Sequence, residues 1–295
     1  MIRMTSRHWA TSLQSALVAR RSPRGWRYMA NSTDPGGKED VSSSQLAVLA
    51  LASADRCGVA TDNSVYADAA AYMITLQQAE GPETERAVRP RKKQQGEKKD
   101  DGGGYVKPQK PDEAPPKDHA RGFLYSVHPT TKEHDKVVTG ARTACGIGAL
   151  ALARWALDGP DARSLKKGSR PAPKALEQAI YDGLAWLALN WSPWGNPGSA
   201  SGRNIYYLYC VERAMDLTGA ERLGNHLWYL EMVEQLLPQQ DEKKGFWDTK
   251  DTQVGDRNPV VDTSLALLFL RRAAKGGVPV PITTGGDDAP PVDNR

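Results

Sequence analysis

The chain has 295 residues, of which 39% are hydrophobic and 25% charged, a balance that excludes a collagen-like or wholly disordered chain and allows one large buried core. The formal net charge of +4 gives no strong case for a nucleic-acid partner, because many of the positive residues fall in one segment, 89–110, where solvent would surround them. No run reaches the ~20 uninterrupted apolar residues of a membrane span. Cys57, Cys145 and Cys210, an odd number without a CxxC pair, spell neither a disulfide framework nor a zinc ribbon, so a reducing, cytoplasmic setting is the default.

In chain order, residues 1–24 carry Arg3, Arg7, Arg20, Arg21 and Arg24 and no acid, as organellar transit peptides do, but lack the apolar stretch of a secretory signal. The preferred reading is an amphipathic helix with Trp9, Leu13, Leu17 and Val18 that belongs to the fold. From there one pattern recurs about four times: a glycine and an aromatic, a polar loop, a Ser, Thr, Asn or Asp, then a helix of small and aliphatic residues. The first copy runs from Gly25-Trp26 to Ser42-Ser43-Ser44 and residues 46–54, and the second from Gly122-Phe123 to Thr143 and residues 144–157. The third, more divergent, has residues 191–202 as its loop, Asn204 as a cap and 205–217 as its helix. The fourth leads from Gly245-Phe246-Trp247 through Asp262-Thr263 into 264–274.

Between these lie helices of another kind. Residues 174–190 place Leu176, Ile180, Leu184 and Leu187 on one face, and 223–237 place Leu223, Leu227, Leu230, Val233 and Leu237 near one stripe; 65–78 is a weaker example. Residues 144–153 and 265–270 are instead apolar nearly all round, which requires cover on most sides and marks inner helices. Alternating inner and one-sided outer helices predict an all-α fold, an α/α toroid of helical hairpins in two concentric layers over residues 25–278. Residues 80–120, charged and proline-rich with almost no aliphatics, read as a disordered basic insertion, and 279–295 as a disordered tail.

Gln240 to Gly245-Phe246-Trp247 resembles the glutamine–tryptophan repeat of triterpene cyclases. A decayed copy is Gln77-Gln78, separated by the insertion from Gly102-Gly103-Gly104-Tyr105. Residues 261–270 are similar to the closing helix of prenyltransferase and squalene-oxidase-repeat proteins, many of them bacterial. The resemblance covers most of residues 25–275. It implies the terpenoid cyclase-like toroid, in which such glutamines and aromatics tie outer helix ends to neighbouring turns. The recognisable helices are fewer than a closed ring of this family uses, so an incomplete ring is expected.

The family's chemistry does not carry over. There is no DxDD acid cluster; the nearest pairs, Asp100-Asp101 and Asp287-Asp288, fall in the insertion and the tail, where solvent levels any perturbed acidity. Aromatics are 7% of the chain and include only three phenylalanines, few for stabilising carbocations. The prenyltransferase zinc set fails as well, because Leu208 stands two before Cys210 and Asp262 precedes Thr263 where the family has histidine. His226 reads as a hydrogen-bonded structural residue on an apolar helix face, and His128 and His134 lack partners at ligand spacing. No metal or cofactor is expected.

Asp262 is the one weak catalytic candidate, at the start of an inner helix, with N-capping as the preferred role for it and for Ser43 or Ser44, Thr143 and Asn204. Cys145 and Cys210 occupy similar inner-helix positions, where a buried thiol is ordinary packing. The ligand-lining candidates are Trp194, Tyr206, Tyr209 and Cys210, with Tyr207 beside them. Two functions of different class follow. One is a binding or scaffold protein for an apolar, isoprenoid-like ligand or a protein partner. The other is a divergent prenyltransferase- or cyclase-class enzyme using Asp262.

Overall fold

The structure is a computed structural model that describes residues 2–21, 25–27, 39–88, 116–128, 133–159, 165, 168–199, 204–248 and 258–274. These residues form eight α-helices: α1 (Ile2–Ala19), α2 (Val41–Arg56), α3 (Asn63–Leu76), α4 (Gly140–Leu157), α5 (Pro173–Leu189), α6 (Asn204–Thr218), α7 (Trp228–Leu236) and α8 (Pro259–Ala274). Two short strands, β1 (Glu83–Glu85) and β2 (Lys117–His119), pair antiparallel with Glu83 opposite His119. The fold is therefore mostly helical, and none of the described helices is long and apolar enough to cross a membrane.

The even-numbered helices pack side by side in the order α2, α4, α6, α8, and the odd-numbered ones lean against them. Helix α4 is the hub. It touches α2, α3, α5 and α6, and Ala144, Cys145, Ile147, Ala149, Leu150, Leu152 and Ala153 are all buried. Its apolar circumference is thus covered, as its composition demands. Helix α8, expected to be an inner helix covered all round, is covered on one side only. Ala266 and Phe269 are buried, but Val260, Val261, Leu267 and Leu268 are 72%, 49%, 56% and 43% exposed. Among the described residues α8 stands last in the row, packed by α6, Tyr229 of α7 and Trp247.

One kind of joint links three of the four odd helices to the even helix that follows. The backbone N–H of Trp26 donates to Ser44 Oγ at 2.9 Å, that of Phe123 to Thr143 Oγ1 at 3.2 Å, and that of Trp247 to Thr263 Oγ1 at 3.1 Å. The indoles of Trp26 and Trp247 donate backwards, to the carbonyls of Leu17 and Leu236 at the ends of α1 and α7, both at 2.9 Å. Both carbonyls lie in the last turn of an α-helix, where the i+4 donor of the helix is missing, so each indole closes a helix end. The third joint is built differently: Tyr207 of α6 donates its hydroxyl to the carbonyl of Ser192 at 3.0 Å. At the second joint a Cβ on Gly122 would fall 2.2 Å from Val138 Cγ1 and 2.8 Å from Thr143 Oγ1, so only glycine lets the turn approach the helix. At the fourth, Gly245 adopts φ +71°, a left-handed conformation that side chains disfavour.

This bonding corrects the capping expected from sequence. The side chains that cap are Asp40, accepting from Ser43 N at 2.7 Å, Thr139, accepting from Arg142 N at 3.3 Å, and Asn258, accepting from Val260 N at 3.1 Å. Ser44, Thr143 and Thr263 lie deeper and serve the joints. Asp262 sits within the first turn of α8, and Asn204 is the first residue of α6.

Two further expectations change. The partner of Gln77 is Phe123, with which it forms an isolated antiparallel bridge, and its amide donates to the carbonyls of Ala179 (2.8 Å) and Arg121 (3.1 Å); Tyr105 lies outside the described residues. Residues 80–88 and 116–120, expected to belong to a disordered insertion, form the β1–β2 ladder docked on α5. Asp118 and Asp182 are fully buried there. Arg86 holds Asp118 through two hydrogen bonds (2.9 and 3.1 Å), Arg121 Nε reaches Asp182 at 2.9 Å, and Gln178 donates to both carboxylates. The Arg86 guanidinium lies 3.5 Å from the centre of the Tyr181 ring. Helix α5 is consequently covered on both sides rather than one. The tail 279–295 and the insertion's residues 89–115 lie outside the described residues.

Two substitutions test this framework. Thr143→Val leaves the Phe123 amide buried without an acceptor and is expected to cost about 1–3 kcal/mol, read as a lowered urea midpoint. Asp182→Ala strands the Arg121 charge and two polar groups and is expected to cost about 3–5 kcal/mol. A change below about 0.5 kcal/mol at Thr143 would contradict the role given to the joint.

Candidate functional site

The N-terminal ends of α2, α4 and α6 bring polar side chains together on an otherwise apolar core. Asp40, 1% exposed, caps α2 and receives hydrogen bonds from the amides and hydroxyls of its first turn and from the Tyr125 side chain. Burial still pushes its carboxyl above the usual aspartate value, because desolvation of the charged form outweighs those bonds. Beside it, Tyr72 donates its hydroxyl to the carbonyl of Glu39 at 2.7 Å, and the Arg142 guanidinium lies 5.1 Å from the Tyr125 ring centre.

Deeper in, Cys145 of α4 and Cys210 of α6 face each other with sulfurs 3.5 Å apart, and the Tyr206 hydroxyl lies 3.5 Å from the Cys145 sulfur. Tyr206 also bonds to Ser42, which ties the sulfur pair to the start of α2. Both cysteines are fully buried free thiols. Hydrogen bonding from Cys210 holds the Cys145 thiol below the ordinary value against the effect of burial, whereas burial and the same bond push Cys210 well up. Burial raises the Tyr206 hydroxyl well above its usual range, so it stays a donor.

Of the residues singled out by sequence, Tyr206 and Cys210 meet here. Their partner Cys145 was read only as packing, and Asp40 not at all. The available signal for Cys145 was its place on α4, similar to that of Cys210 on α6. Tyr209 is half-buried on α6, with its hydroxyl raised by burial. Trp194 lies half-buried in the turn between α5 and α6 and packs on the core. Asp262 is half-buried in the first turn of α8, on the same helix face as Ala266 and Phe269, four and seven residues on.

His226 lies in a turn before α7, not on a helix as expected. Its Nδ1 is 3.1 Å from Glu231 Oε2, its ring stacks on Trp191 at 5.3 Å, and the Trp191 indole donates to the same carboxylate oxygen at 2.6 Å. Among the described residues no three His, Cys, Asp or Glu side chains are grouped as a metal site. No protein-family model, curated protein or solved structure matches the chain.

Asp40 supplies a pH test with a defined sign. Its folded-state acidity is weaker than the ordinary value of 3.8, so the fold favours the protonated form; its contribution to stability is full at the acidic end and is lost as pH rises through the raised value. Asp40→Asn keeps a good cap. The urea midpoint of the wild type relative to this variant is therefore expected to fall as pH climbs from below 3.8 toward neutrality. A difference that is flat or rises with pH would contradict the burial argument.

Proposed function

We propose that the chain is a terpenoid cyclase- and prenyltransferase-like α/α toroid, an incomplete ring of two helical layers, that works as a binding or scaffold protein for an apolar ligand or a protein partner. The observation that carries this reading is the distribution of polar and apolar groups. Ser44, Thr143 and Thr263 are engaged in the joints, Asp40 caps α2, and Asp118 and Asp182 hold the hairpin. Meanwhile Val260, Val261, Leu267 and Leu268 turn one apolar stripe of α8 outward. Contiguous exposed aliphatics of this kind mark surfaces that other molecules cover.

One observation favours a second reading, an enzyme of the prenyltransferase or cyclase class acting on an isoprenoid-like substrate. Asp262 is half-buried on the packed face of α8, in its first turn, where a carboxylate could reach a ligand held at that end of the helix row.

Organic extraction of the purified full chain, followed by mass spectrometry, tests both. An isoprenoid-like lipid that co-purifies supports the apolar-ligand reading, and conversion of that lipid that stops on Asp262→Asn supports the enzyme. Leu267→Asp is expected to change stability by less than about 0.5 kcal/mol, because the residue is already 56% exposed, yet to abolish capture of the ligand or partner. Undiminished capture by that variant would remove α8 from the binding surface.

A further inference from the structure

We propose that Cys145 and Cys210 form an oxidisable dithiol, a modification site that a small hydroperoxide converts into a disulfide joining α4 to α6. The proposal is independent of the binding reading above.

Three observations carry it. The sulfurs are 3.5 Å apart across two neighbouring helices, so a bond of ~2.05 Å needs a closure of about 1.5 Å, within reach of small side-chain rotations in both residues. The Tyr206 hydroxyl stands 3.5 Å from the Cys145 sulfur, so that sulfur has a polar neighbour besides Cys210. The third cysteine, Cys57, is exposed and serves as an internal control for ordinary thiol reactivity.

The chemistry balances in two steps. The Cys145 sulfur attacks one oxygen of the hydroperoxide; the O–O bond breaks, the sulfur is oxidised to a sulfenic acid, and the other oxygen leaves as an alcohol, or as water from hydrogen peroxide, taking up the thiol proton. The Cys210 sulfur then attacks the sulfenic sulfur, the S–O bond breaks, and water leaves with the Cys210 proton. In total two thiols and one hydroperoxide give one disulfide, one alcohol and one water. A compact, uncharged oxidant is required because Cys145 and Cys210 are only 1% and 2% exposed, which shields them from bulky disulfides such as glutathione. The product ties the hub helix to its neighbour, closing the chain between the two cysteines into a loop that the unfolded state would also have to carry.

The test uses the full chain in a Cys57→Ser background, reduced and then treated with hydrogen peroxide, with peptide mass spectrometry after alkylation under denaturing conditions. The expected result is loss of both thiols together, a cross-linked pair of peptides containing Cys145 and Cys210 that is two hydrogens lighter than their sum, reversal by dithiothreitol, and a thermal midpoint raised by roughly 5–10 °C. With Cys210→Ala, Cys145 is expected to stop at the sulfenic acid and be trapped by dimedone present as the chain is unfolded. The proposal is overturned if both thiols remain fully alkylatable after the wild-type chain has lost Cys57 to the same treatment. It is equally overturned if Cys145 or Cys210 passes to sulfinic acid without any cross-linked peptide.

Discussion

Where the chain leaves an odd-numbered helix and turns into the next even one, the amide of an aromatic residue is sealed from water: Trp26, Phe123 and Trp247 are 4%, 0% and 3% exposed. A buried amide must find an acceptor inside the protein. Three times the acceptor is a hydroxyl in the opening turns of the following helix, at Ser44, Thr143 and Thr263. That bond fixes how far each even helix stands from its turn, and the aromatic ring or indole fills the corner between them. The joints are then bolted to one another, because the first amide of α2 donates to the carbonyl of Tyr125 at 3.0 Å and that of α4 to the carbonyl of Pro197 at 2.9 Å. Helices α2 and α4 are thus held both by their own joint and by the turn before the next even helix.

The rest of the architecture follows from this row. Helix α4 stands in its middle and is covered on all sides; α8 stands at its end and shows an apolar stripe. The buried carboxylates Asp118 and Asp182 dock the β1–β2 ladder on the back of α5, so the chain can carry a long charged insertion without loosening the core. The polar cluster of Asp40, Tyr206, Cys145 and Cys210 arises at the one place where the starts of α2, α4 and α6 converge.

What could be read from the sequence was whatever the chain states locally. The glycine-aromatic turns, the helices that follow them and the burial of residues 144–153 were legible because each depends on a short run of residue types. The role of Ser44, Thr143 and Thr263 was not, since a hydroxyl near a helix start suits capping and joint-making equally, and only the placement of Asp40, Thr139 and Asn258 decides between them. The exposure of Leu267 and Leu268 depends on a neighbour that composition cannot supply. The order of residues 80–88 and 116–120 was hidden because Arg86 is matched by Asp118, 32 positions on, and the His119 amide and Arg121 by Asp182 of α5, 63 and 61 positions on. Tyr206 and Cys210 were visible as a helical pair, but their meeting with Cys145 depends on the register between α4 and α6, which no local pattern encodes.

Native-state hydrogen exchange read at single amides addresses the joint most directly. The amides of Trp26, Phe123 and Trp247 lie in turns, where exchange ordinarily proceeds through small local openings. If the joints hold the helices as described, these amides exchange only with global unfolding, as slowly as the buried amides of α4. Exchange at the pace of an ordinary exposed turn would contradict the account.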